Sequence, residues 1–122
     1  MMTQPVTMFF YGTLRAAEVR RAVLGGDLPP SHLSPAYLDG YQVRRVDGAL
    51  YPMLVAAPGG QVEGLVATGL DQQAAGKLDQ FEGVHYRRNS LEVVTANGSM
   101  VADVYLPDAE MVAAELLSLI HI

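Results

Sequence analysis

Residues 86–106 read YRRNSLEVVTANGSMVADVYL, with Asn97-Gly98 near the middle. Asn-Gly takes up the positive φ angles that a tight two-residue turn demands, and β-branched and aromatic residues fill the runs on either side. The stretch predicts an antiparallel hairpin, with strands over Tyr86–Ala96 and Met100–Leu106. Upstream, Asp71 is placed to cap a helix running from Gln72 to about Phe81 and ending at Gly83. Downstream, Pro107-Asp108 opens a last helix, Ala109 to Leu117.

Further out, Val62–Leu70 (VEGLVATGL) reads as a strand whose glycines mark a bulge or a close approach. Pro58-Gly59-Gly60 reads as a turn. Tyr51–Val55 is extended, because the residue before a proline is pushed out of the helical region. Tyr37–Val46 is a strand bent at Gly40, and Leu28–Pro35, with three prolines, is a loop. Ala16–Leu24 is helical, with Val19, Val23 and Leu24 on one face, Arg20 and Arg21 elsewhere, and Gly25-Gly26 closing it. Val6–Tyr11 (VTMFFY) is a buried strand that stops at Gly12. About six short strands and two to three helices in this irregular order lack strict βαβ alternation. They imply a small barrel or curled sheet with helices outside.

The chain has 122 residues, half of them hydrophobic and 17% charged, which suits one compact domain with a real core. A domain of this size hides roughly two-thirds of its unfolded surface, so it needs no disulfide or metal staple. It contains no cysteine, which excludes a disulfide framework, a thiolate zinc site, an iron–sulfur cluster and a cysteine nucleophile. The net charge is −5, and six of the arginines form the pairs Arg20-Arg21, Arg44-Arg45 and Arg87-Arg88. The last two pairs lie in strands, where neighbours point to opposite faces, so no basic stripe for nucleic acid forms. No apolar run reaches the ~20 residues of a membrane span, and Met-Met-Thr-Gln-Pro carries no signal-peptide pattern. These features point to a cytosolic protein that engages neither nucleic acid nor membrane.

Two segments carry chemistry. In the helix from Gln72, the residues Ala74, Ala75, Leu78 and Phe81 make the apolar stripe, and Glu82 follows Leu78 by four on the same stripe. A carboxylate aimed at the core has a raised pKa and serves as a general base or acid near neutral pH. The commoner case, on pattern alone, is a frayed helix end with a solvated Glu. Tyr11-Gly12-Thr13-Leu14 follows a strand and precedes a helix. Its backbone N–H groups are candidates for an anion nest, with Gly12 supplying an unusual, positive φ and the helix dipole adding potential. An ordinary strand–loop–helix connection is again the commoner case. His32, His85 and His121 show no metal-ligand spacing, and no serine has a nucleophile's flanking pattern. Tyr41, Tyr51, Tyr86 and Tyr105 are either pocket-lining or core rings.

Taken together, FFYGTLR (residues 9–15), LDGYQVRRVDGALYPMLV (38–55), VEGLV (62–66) and LDQFEGVHYRR (78–88) resemble the γ-glutamylcyclotransferase-like superfamily. That group includes the γ-glutamylamine cyclotransferases and the plant avirulence-induced-gene-2-like proteins, and the likeness runs in order from about residue 8 to residue 107. The resemblance implies an α+β fold, a small mixed β-barrel with flanking helices. It implies that Tyr11, Gly12, Thr13 and Leu14 bind a γ-glutamyl or 5-oxoproline moiety, largely through backbone groups, and that Glu82 is the catalytic glutamate. Tyr105 matches a ligand-facing tyrosine, and Tyr51-Pro52 is expected to rim the pocket. The implied reaction is intramolecular aminolysis of a γ-glutamyl amide, releasing 5-oxoproline and a free amine, with no metal or other cofactor. The alternative is a non-catalytic barrel that senses γ-glutamyl metabolites, and a third class is an interaction domain. A monomer or weak dimer is expected.

Many members of that superfamily continue into a tryptophan-containing segment, whereas this chain has no Trp and ends Leu-Ser-Leu-Ile-His-Ile. The hexapeptide matches one translated frame of a transposase mosaic-end tag. Residues 117–122 are therefore expected to be adaptor-derived, with residues 1–116 forming a single domain.

Overall fold

A computed structural model describes residues 4–44 and 53–109. In chain order the elements are β1 (Val6–Phe10), α1 (Ala17–Leu24), β2 (Leu33–Arg44), β3 (Met53–Leu70), α2 (Gln72–Glu82), β4 (Tyr86–Thr95) and β5 (Gly98–Pro107). Single 3₁₀ turns lie at Thr13–Arg15 and Pro30–His32. The strands close into a barrel in the order β1-β3-β2-β4-β5. All neighbours are antiparallel except β1 and β5, which meet in parallel at Met8 and Asp103.

The expected barrel is present and, among the described residues, has five strands where about six were expected. Pro58-Gly59-Gly60 does not end a strand. It lies inside the 18-residue β3, whose register against β2 jumps from Tyr41↔Ala56 to Asp39↔Gln61. Two steps along β2 are thus matched by five along β3, and Gly59, at φ 81°, helps take up the excess as a bulge opposite Gly40. A local turn signal was absorbed into a bend because β2 continues alongside on both sides of it. Similarly, β2 begins at Leu33 and runs through Pro35, which was expected in a loop. Because β4 pairs with β2 only at Ala36 and Tyr37, Pro35 sits where one edge has no partner and a missing N–H is tolerated.

The hairpin is present, one residue out of place. Thr95 pairs with Gly98, so the two-residue loop is Ala96-Asn97, and Gly98 opens β5 at φ 110°. The helix from Gln72 is also as expected. The Asp71 carboxylate accepts from the Ala74 N–H at 2.7 Å, and the Gly83 N–H bonds the Asp79 carbonyl at 3.0 Å to close the last turn. Asp71→Ala is expected to lower stability by about 1 kcal/mol, read as a lower urea midpoint at unchanged slope. Only Ala109 of the expected last helix is described, and residues 110–122, including the expected tail, lie outside the described residues.

Alternation along the strands splits the core in two. Phe9, Leu38, Leu54, Val66, Val93 and Val104 are among the residues that fill the lumen, to which all five strands contribute. Met8, Phe10, Ala67, Leu70 and Tyr105 pack outward with Leu14 from the 3₁₀ turn and with Ala75 and Leu78 of α2. β1 is therefore covered on both faces along Met8–Phe10, which is why those three successive residues are apolar and buried rather than alternating. β1 also approaches β3 closely at Gly64. A Cβ there would lie 2.7 Å from the Phe9 ring Cζ and would run into the Phe10 carbonyl oxygen. Among the described residues no helix is long and apolar enough to cross a membrane.

Candidate active site

Where β1 ends, the chain turns through Tyr11 and Gly12 into the 3₁₀ turn, and the end of α2 comes up beside it. Between them is a cavity of about 180 Å³. The sequence-predicted residues Tyr11, Gly12, Thr13, Leu14, Glu82 and Tyr105 all line it, along with Phe10, Phe81 and Tyr86. Tyr51 and Pro52 lie outside the described residues. Of the other tyrosines considered, Tyr86 lines the cavity and Tyr41 packs against the lumen cluster.

Glu82 is the last residue of α2. Leu78, one turn earlier, is fully buried against the barrel, and the four-residue spacing carries Glu82 round to the same side. Among the described residues nothing hydrogen-bonds or ion-pairs with the carboxyl, and burial among apolar walls pushes its pKa up to about 7. The helix does not fray before Glu82, so the acid faces the cavity rather than solvent. Phe81, expected on the buried stripe, is 46% exposed and stands at the cavity mouth.

Two of the three tyrosines in the cavity wall, Tyr11 and Tyr105, are tied to the barrel and to α2 by their hydroxyls. The Tyr11 hydroxyl donates to the Tyr105 carbonyl at 2.8 Å, and the Tyr105 hydroxyl donates to Asp79 Oδ1 at 2.6 Å. Burial is the main reason both phenols are held well above the usual tyrosine range. The Glu82 and Tyr86 charges add to the effect at Tyr11, and the Asp79 hydrogen bond and charge add to it at Tyr105. Neither phenol ionises near neutrality. Asp79 is anchored in turn by Arg88, whose Nε lies 2.9 Å from Oδ1 and whose Nη1 reaches Asp103 Oδ2 at 3.1 Å. Ser90 Oγ donates to the other Asp103 oxygen at 3.1 Å. This array joins α2, β4 and β5 behind the cavity and was not foreseen from the sequence. Its members come from three elements: the β4–β5 register sets Arg88 opposite Tyr105 and Ser90 opposite Asp103, and the packing of α2 brings Asp79 to them.

The Tyr105 hydroxyl is therefore already engaged. Tyr105→Phe is expected to cost about 1 kcal/mol for the lost hydrogen bond, since Asp79 is partly exposed and keeps Arg88, while changing kcat by less than tenfold. Paired thermal melts and initial rates would separate the two effects.

The Gly12 loop departs from expectation in two respects. Gly12 has φ −111°, so it does not adopt the positive φ expected of it. The loop also does not feed directly into α1. The 3₁₀ turn intervenes and α1 starts only at Ala17, so the dipole of α1 is not aimed from Gly12–Leu14. What fixes the turn instead is Arg20, expected off the apolar face but only 4% exposed. Its Nη1 donates to the carbonyls of Leu14 at 2.9 Å and Arg15 at 2.7 Å, and its Nε is 2.9 Å from Asp27 Oδ1. The hydrogen bond from Arg20 holds the Asp27 carboxyl below its usual range. Among the described residues no cluster of His, Asp or Glu is arranged to hold a metal ion.

Residues 8–119 match a family model described as gamma-glutamyl cyclotransferase, AIG2-like. AIG2-like protein C of Arabidopsis thaliana is 35% identical over 92 residues, covering 75% of this chain and 52% of the relative. Protein AIG2 C of the same plant is 31% identical over 96 residues, covering 79% and 56%. The chain thus spans about half the length of the curated relatives it matches. A solution structure of an A. thaliana protein superposes with a TM-score of 0.74 at 28% identity, covering 91% of this chain and 76% of that one. A structure named gamma-glutamyl cyclotransferase superposes at 0.69 with 18% identity, over 86% and 68%, a likeness of fold.

Proposed function

This chain belongs to the gamma-glutamyl cyclotransferase, AIG2-like family, and from that premise we propose that it is an enzyme that closes a γ-glutamyl amide on itself, releasing 5-oxoproline and a free amine. The observation that carries the reading is Glu82: one carboxyl with a pKa near 7, unpaired by any described residue, in the wall of a small apolar cavity. The substrate brings its own nucleophile. Its α-amine forms a C–N bond to the γ-carbonyl carbon, and the bond to the leaving amine breaks. Ring closure needs one conformer held, which a confined cavity favours. The α-ammonium group gives up one proton to water before attack. Ionised Glu82 takes a second from the attacking nitrogen and returns it to the departing nitrogen, which leaves as an amine and takes its last proton from water. One residue with a pKa near the working pH thus serves both steps. Backbone N–H groups of the Tyr11–Leu14 loop receive the substrate carboxylate or the developing oxyanion.

The reading includes the cytosol as compartment, a small molecule as partner and a monomer or weak dimer as assembly. A net charge of −5 argues against nucleic acid, as does the Arg87-Arg88 pair, of which Arg88 is committed to Asp79 and Asp103. The test is 5-oxoproline release from a panel of γ-glutamyl amines and γ-glutamyl dipeptides. Release from at least one class supports the enzyme and ranks the leaving groups. Binding of 5-oxoproline without release from any of them would replace it with a sensing barrel.

A further inference from the structure

We propose that Arg20 is a positioning residue for the cavity: from behind the loop, its buried guanidinium sets the backbone of the Thr13–Arg15 turn, of which Thr13 and Leu14 line the cavity. The inference rests on the cyclotransferase reading for what the cavity binds, but not for what Arg20 does to the loop.

Arg20 does not itself line the cavity. It lies in α1 with its side chain 5% exposed, facing back toward the 3₁₀ turn. One nitrogen, Nη1, takes up two successive carbonyls, those of Leu14 and Arg15. The peptides carrying those carbonyls use their N–H groups on the other side, Arg15 to the Gly12 carbonyl at 3.1 Å and Ala16 to the Thr13 carbonyl at 3.0 Å. Each of these two peptide planes is thus held at both ends, and the orientation of the turn is fixed. The other edge of the guanidinium is gripped by Asp27, through Nε at 2.9 Å and Nη2 at 3.3 Å. Asp27 Oδ1 also accepts from the Leu28 N–H at 2.8 Å, which locks the carboxylate's own position.

Burying a cation costs desolvation energy that its partners barely repay, and a well-packed apolar residue often gives an equally stable fold. A planar five-donor group offers something an apolar side chain cannot: fixed directions for two carbonyls and a carboxylate at once. Those directions converge on the one segment whose backbone is expected to meet the ligand. Misplacing such a wall by about 1 Å from a residue outside the site can cost on the order of a hundredfold.

The test compares Arg20→Met, Arg20→Lys and Asp27→Asn with the unaltered chain by three readouts. These are amide exchange at Arg15 and Ala16 against the β3 amides, the Kd for 5-oxoproline, and kcat and KM on the best substrate of the panel. Arg20→Met is expected to speed exchange at Arg15 and Ala16 by about tenfold or more, to leave β3 protected, and to weaken 5-oxoproline about tenfold or more. KM should rise more than kcat falls. Arg20→Lys, which keeps the charge but not the fork, should be intermediate, and it and Asp27→Asn carry the test if Arg20→Met does not fold. Unaltered loop exchange with unaltered affinity would overturn the proposal, as would a loss of protection spread evenly over β3. If no form releases 5-oxoproline from any substrate of the panel, the cyclotransferase reading fails, while the loop exchange still decides whether Arg20 orders the turn.

Discussion

Glu82→Gln is expected to lower 5-oxoproline release by a factor of about 10²–10⁴ while leaving the fold intact, and above pH 7 to make it more stable. Glutamine keeps the size and hydrogen-bonding outline of the side chain but cannot take a proton from the attacking amine. The stability gain follows from the direction of the pKa shift. The folded protein holds the Glu82 proton more tightly than the unfolded chain, about 7 against 4.5. This group's contribution to stability is therefore full below about pH 4.5, declines as pH rises toward 7, and stays at its lower value above that. Removing the charge recovers up to about 3 kcal/mol at pH 8. In the unaltered protein kcat/KM should rise with pH along a limb with its midpoint near 7, where the base form appears. Rates across pH 5–9 and urea melts of both proteins at pH 8 would check this. A Glu82→Gln protein with near-normal turnover would remove Glu82 from the chemistry.

The second large effect is expected at Gly64. Gly64→Ala should cost on the order of 2–4 kcal/mol, and Gly64→Val should leave little soluble protein. An added Cβ meets the Phe10 carbonyl and the Phe9 ring, and neither can yield easily. Phe9 is 1% exposed and fills the lumen, while the Phe10 carbonyl belongs to a strand packed on both faces. Relief requires β1 to move away from β3. Because β1 leads straight into Tyr11 and Gly12, a shift that the fold survives should still weaken 5-oxoproline binding. Chemical denaturation of Gly64→Ala, with 5-oxoproline titration of whatever folds, measures both parts. Wild-type stability in Gly64→Ala would mean that the two strands are not as closely apposed as described.

Features whose cause is local in sequence were legible. Asp71 caps a helix because its acceptor is three residues away from the donor it serves. Val6–Tyr11 reads as a buried strand from its composition, and the spacing from Leu78 permits Glu82 to face inward, although pattern alone favours a solvated helix end and only the family resemblance tips the reading. Features whose cause is distant were missed or misread. Pro58-Gly59-Gly60 reads as a turn until β2 is laid alongside it, and the burial of Arg20 depends on carbonyls at 14 and 15 and a carboxylate at 27 converging on it. The Asp79–Arg88–Tyr105 array spans three elements and can be read only once the β4–β5 register and the packing of α2 are known. Gly12 was expected at positive φ because glycine permits it, but permission is not requirement, and the chain turns there at φ −111°.

The parallel seam between β1 and β5 bears on how the protein is made. β1 leaves the ribosome well before either partner, since its antiparallel partner spans residues 65–70 and its parallel one is reached only at Asp103. During synthesis, the five-residue run Val-Thr-Met-Phe-Phe waits with both edges unpaired and both faces apolar. Such contacts, distant in sequence, close slowly, and an uncovered strand of this kind is prone to self-association in the interval. The nascent chain should therefore depend on chaperones until the β4–β5 hairpin emerges, and slowing translation ahead of that hairpin should lower the soluble yield.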